Sequence, residues 1–127
     1  MPQIRIELFA AIYFFAIGFS HVVQPHAWVE FFVSLRGKGR SGAFTEGFLA
    51  LSLGALIVSF HNVWSGPHIV LTLVGWAQVA KGIGRFAAPQ LALRVYQTVS
   101  HERAWRFRVG GAFSVALAAY LAWLLTI

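Results

Sequence analysis

The chain has neither cysteine nor aspartate. Without cysteine there are no disulfides, thiolate nucleophiles, iron–sulfur ligands or cysteine-based zinc sites. Also missing are a Gly-x-Ser-x-Gly nucleophile turn, a phosphate-cradling glycine loop and a helix carrying two spaced histidines. Gly82-x-Gly84 followed by Arg85 precedes an amphipathic segment rather than following a strand, so it carries no nucleotide signal. No polar stretch is long enough to bury a core of its own, which excludes a soluble domain. No enzyme chemistry is expected.

Apolar sequence is what the chain has in quantity. It is 58% hydrophobic, with a mean hydropathy of +0.69. The apolar residues gather in four stretches, roughly Ile4–Val23, Ala43–Phe60, Ile69–Gly84 and Val109–Ile127. Each is about the 17–25 residues a helix needs to cross a hydrocarbon layer. The expected fold is all-α and integral to a membrane: one domain over residues 1–127, a four-transmembrane-helix bundle. Arg5 and Glu7 interrupt the order of a cleavable signal, so the first stretch reads as a permanent span.

Orientation follows from charge. With four spans, nine of the ten Lys and Arg residues share one side and only Arg5 lies on the other. The positive-inside rule makes the crowded side cytoplasmic and puts both termini outside. In a soluble protein the net charge of +6 would suggest nucleic acid. Flanking lipid-embedded helices, it points instead to anionic headgroups, contacted by Arg36, Lys38, Arg40, Arg94, Arg103, Arg106 and Arg108. No nucleic-acid partner is expected.

Prolines and glycines punctuate the chain. Pro25 ends the first span, and Trp28 to Leu35 reads as a short interfacial helix. Gly37 to Gly42 is a loop, and Val63 to Pro67 an external turn with Trp64 as interfacial anchor. A second amphipathic stretch runs from Gln90 to Arg108, with Ala92, Val95, Tyr96 and Val99 on one face. The halves look alike: Ile17-Gly18 matches Ile83-Gly84, and Gly42-Ala43-Phe44-Thr45 matches Gly111-Ala112-Phe113-Ser114. This suggests a parallel two-hairpin repeat, with chance similarity between apolar hairpins as the alternative. Ala50 and Gly54 on the second span, and Gly110, Ser114 and Ala118 on the fourth, offer small faces for helix packing. They serve either the bundle itself or contact between copies. Phe14, Phe15, Phe31 and Phe32 are aromatics that lipid or a partner could cover.

Two clusters of polar residues gather near the ends of the spans. His21, Gln24, Glu46, Gln78 and Lys81 lie toward the cytoplasmic ends, with Glu46 and Lys81 a natural ion pair. They read either as a cytoplasm-facing polar vestibule or proton-exchange site, or as Lys81 snorkelling and Glu46 capping its helix. Glu7, His61, Asn62 and His68, with Ser59 and Thr72, lie toward the external ends. Glu7, His61 and His68 could supply one oxygen and two nitrogens to a metal. A spacing of seven between the histidines matches no recognised ligand pattern, so hydrogen bonding is preferred and no metal is expected. His21 and His61 fall near opposite faces and cannot pair on a haem; ligation of a haem or pigment by one histidine stays open, and no cofactor is expected.

His61-Asn62-Val63-Trp64, Leu71-Thr72-Leu73-Val74-Gly75-Trp76, Lys81-Gly82 and the Pro25-x-x-Trp28 step resemble uncharacterised small inner-membrane proteins of bacteria with four spans. The resemblance implies a bacterial inner membrane and a four-helix bundle, and brings no activity. Trp64-Ser65-Gly66 also resembles the start of the third span in small multidrug resistance transporters, which use a glutamate midway along their first helix. Glu7 lies only about a turn from the start, a departure from that pattern. The expectation is an accessory or scaffold subunit, or a homo-oligomer, partnered by lipids and other membrane subunits or copies of itself. A small proton-coupled transporter or channel and a haem- or pigment-binding subunit are the alternatives.

Overall fold

A computed structural model describes residues 2–127. All regular structure among them is helical. In chain order the elements are α1 (Pro2–Val23), α2 (Pro25–Gly37), α3 (Arg40–Phe60), α4 (Ile69–Ala87), α5 (Pro89–Tyr96) and α6 (Trp105–Leu124), with a 3-10 turn at His101–Arg103. Pro25 and Pro89 open α2 and α5, where a missing N–H costs nothing because the first turn has no acceptor for it. Gly39 (φ +61°) redirects the chain between α2 and α3, and Gly66 (φ +75°) between α3 and α4. Side chains with a Cβ are rarely tolerated at such angles.

Three stretches are long and apolar enough to cross a membrane: Gln3–Val23, Arg40–Phe60 and His101–Leu124. The expected third span forms as α4, but it carries Gln78, Lys81 and Arg85 and is not among the three. The amphipathic stretch expected to run unbroken from Gln90 to Arg108 divides. Helix α5 stops at Tyr96, the backbone is extended at Ser100 (φ −155°, ψ 162°), and α6 already includes Arg106 and Arg108.

The long helices associate as two antiparallel pairs, α1 with α6 and α3 with α4. Between α1 and α6, a Cβ on Gly18 would stand 2.7 Å from the Gly111 carbonyl oxygen. Ser114 Oγ donates to the Phe14 carbonyl at 2.7 Å along the same seam. Between α3 and α4, a Cβ on Gly54 would meet Gly75, and one on Gly82 would meet Leu51. Small residues at these positions let the helix backbones approach closely. Ala50, Gly54 and Ala118 are buried and Ser114 half-buried, as small-residue packing requires. Gly110 is a correction: it is exposed and nothing lies within 4 Å of its Cβ position, while its neighbour Gly111 is held against α1.

The two pairs share a core of Ile6, Ala10, Ala11, Phe14, Ile57, Leu71, Ala118, Leu121 and Leu124. Phe14 is therefore interior, whereas Phe15 is exposed and Phe31 and Phe32 are half-buried. Around the start of α3, the helices α2 and α5 cover a second core of Leu35, Ala43, Ala92 and Tyr96. A two-fold relation between halves would equate the α1–α6 pair with the α3–α4 pair, and that pairing is observed. The matched glycines are not equivalent, however: Gly18 is packed tightly, while Gly84 faces open space. Outward faces are apolar, with Phe113 74%, Phe48 64% and Ile12 63% exposed.

Candidate functional site

Two buried carboxylates organise the polar residues, one at each end of the helix pairs. Glu46 lies seven residues into α3 and is only 7% exposed. Its Oε1 accepts from Arg85 Nε at 2.6 Å and from the Tyr96 hydroxyl at 2.5 Å, and its Oε2 lies 3.2 Å from Lys81 Nζ. The expected Glu46–Lys81 pair is thus present, but as part of a larger cluster joining α3, α4 and α5. Glu46 does not cap its helix, because α3 begins two turns earlier with Gly39 at the cap position. Burial, followed by the bond to Glu46, pushes the Tyr96 phenol above the ordinary tyrosine range. It therefore stays protonated, and able to donate, at any pH the protein will meet.

Arg85 and Tyr96 were not assigned to this cluster from sequence. Arg85 had a signal: it follows Lys81 by four residues, one turn on along the same helix face. Tyr96 had none, since its spacing marked only an apolar face. The other expected members stand apart. His21 stacks on Trp28 with ring centroids 4.0 Å apart, and its Nδ1–H donates to the Ile17 carbonyl. Gln24 is exposed and Gln78 half-buried, and neither bonds to Glu46 among the described residues.

At the other end, Glu7 is 1% exposed on α1. Its Oε1 accepts from His61 Nε2 at 2.8 Å and from His68 Nδ1 at 2.6 Å. His61 follows the last residue of α3, and His68 precedes the first of α4. With Glu7 ionised and His61 neutral, His61 donates from Nε2 and accepts at Nδ1. Thr72 in the first turn of α4 completes the chain: its hydroxyl lies 3.0 Å from His61 Nδ1 and accepts the Val63 N–H at 2.9 Å. The donors and acceptors then run in one direction, from Val63 through Thr72 and His61 to Glu7. Such a buried network is favourable only when every member is satisfied, and no buried side-chain polar atom lacks a partner among the described residues.

Asn62 does not join Glu7. It is exposed, and its Oδ1 accepts from the indoles of Trp64 (2.9 Å) and Trp76 (3.2 Å). Ser59 is exposed as well. Arg36, Lys38, Arg40, Arg94, Arg103, Arg106 and Arg108 are all exposed. Both ring nitrogens of His61 are engaged by protein atoms, and the His21 ring is covered on one face by Trp28.

Comparisons with protein families, curated proteins and solved structures find no match to this chain.

Proposed function

We propose that the protein is a non-catalytic, four-span subunit of a bacterial inner membrane, acting as a scaffold within a larger assembly or with copies of itself. The antiparallel packing of α4 on α3 carries the fourth span. Gly75 of α4 faces Ile57 near the end of α3, and Arg85 and Phe86 face Gly47 near its start. If α3 crosses a bilayer, α4 returns through it, with Glu46 taking up the charge of Lys81 and Arg85. Intramembrane cations are tolerated when paired in this way. The surface helices α2 and α5 then lie on one side with the exposed Lys and Arg residues, which makes that side cytoplasmic and both termini external.

A scaffold role is supported by the direction of the chemistry. The buried polar groups bond to one another and hold helices together, while the outward faces are apolar and open to lipid or other membrane helices. Native mass spectrometry of the protein, released gently from its host membrane, tests this. Particles containing several copies, or stoichiometric attachment to other membrane proteins, are the expected result. A lone chain carrying only lipid would contradict the scaffold reading.

A further inference from the structure

We propose that Glu7, His61 and His68 form a binding site for a first-row divalent cation of the zinc type. The three ligand atoms lie within 4.8 Å of one another, although they come from three separate parts of the chain. Two imidazole nitrogens and one carboxylate oxygen suit zinc and its neighbours, whereas calcium and magnesium favour shells of oxygen. At 2.8 and 2.6 Å the present contacts are hydrogen bonds. Donor atoms about 2.0–2.1 Å from a tetrahedral ion stand roughly 3.3 Å apart, so the separations from Glu7 must open by about 0.5 Å to His61 and about 0.7 Å to His68. His68 has room to withdraw, because it precedes α4 and its side chain is 31% exposed.

Thr72 supplies an independent observation. A zinc-binding imidazole characteristically donates its second ring N–H to an oxygen, which fixes its tautomer and its plane. Thr72 Oγ1 stands 3.0 Å from His61 Nδ1, where that oxygen is needed. When the ion binds, the His61 proton is held on Nδ1 instead of Nε2, and the bond to Thr72 reverses direction. The Thr72 hydroxyl hydrogen then turns to the carbonyl four residues back, that of His68, as helical threonines commonly do. Likewise, the His68 proton passes from Nδ1 to Nε2. Each neutral imidazole keeps one proton, and the Glu7 carboxylate offsets one of the two charges on the ion. Three protein donors leave a fourth position, on the open side of His68, for water.

Protein without an affinity tag, stripped with a chelator, is titrated with zinc chloride by calorimetry and with cobalt chloride by visible absorption. One ion per chain is expected, with the strong d–d bands of tetrahedral cobalt. Thr72→Val should weaken binding by about 10–100-fold, and His68→Ala by more. Glu7→Gln keeps an acceptor oxygen for both imidazoles, so it should remain folded while losing the ion. His26→Ala controls for the exposed His26–His101 pair, whose Nδ1 atoms are 2.7 Å apart, and should change nothing. Absence of binding to the native chain overturns the proposal. So does zinc binding that survives in folded Glu7→Gln, or that depends on His26 rather than His68.

Discussion

Glu46→Ala is expected to destabilise the protein by about 3 kcal/mol, toward the lower end of the range for breaking a buried ion pair. The lower end applies because the Lys81 side chain remains 40% exposed and its share is screened. Most of the cost comes from what is left behind. Arg85, 19% exposed, and the fully buried Tyr96 both lose the acceptor they were folded around. Hydrogen bonds to charged groups contribute about 1.5–3 kcal/mol each, and an abandoned donor also bears its desolvation penalty. Glu46→Gln should cost about half as much, since an amide oxygen still accepts but no longer neutralises two cations. Equilibrium unfolding in detergent, followed by loss of helicity, measures both, with Lys38→Ala on the exposed loop as a silent reference. A Glu46→Ala midpoint equal to that reference would show that the cluster holds nothing together.

The second large effect concerns adjacent glycines. Gly111→Val should separate α1 from α6, because a Cβ there would lie 2.5 Å from the Gly18 carbonyl oxygen and 2.6 Å from His21 Cβ. Neither contact can yield cheaply, one being backbone and the other the root of a stacked ring. Overpacking of this kind costs about 1–3 kcal/mol, and more where backbone must move. Gly110→Val introduces the same β-branched residue one position earlier, into open space. The helix-propensity change is shared, so the difference between the two variants isolates the seam. Thermal unfolding should show a large drop for Gly111→Val and little for Gly110→Val. Equal drops would mean that α1 and α6 do not meet as described.

That pair of glycines also shows where sequence reading stopped. Gly110, Ser114 and Ala118 recur every four residues, which looked like a face. A helix advances about 100° per residue, so steps of four drift by about 40° each. The buried face follows Gly111, Ser114 and Ala118, spaced three and then four. Helix breaks were readable because proline and glycine act locally: Pro25, Gly39, Gly66 and Pro89 each mark a boundary. The Glu46–Lys81 pair was readable because opposite charges at one depth have few alternatives. Tyr96 was not, since a tyrosine on an apolar face declares its bulk and not the destination of its hydroxyl. The grouping of Glu7, His61 and His68 was readable from their shared depth, but their meeting on one carboxylate oxygen was not. Separation along the chain says little once a turn through Gly66 and Pro67 folds the end of α3 beside the start of α4.

Helix α4 is proposed to complete a fourth crossing despite Lys81 and Arg85. Because the chain has no cysteine, single introduced cysteines report on it without background. Lys38→Cys, Ser65→Cys and Thr98→Cys are each placed in an exposed connection: before α3, between α3 and α4, and after α5. Intact bacterial cells are treated with a maleimide that cannot cross the membrane, with and without permeabilisation. Four spans predict labelling of Ser65→Cys in intact cells, and of Lys38→Cys and Thr98→Cys only after permeabilisation. Labelling of Ser65→Cys and Thr98→Cys from the same side would leave α4 outside the bilayer and contradict the account.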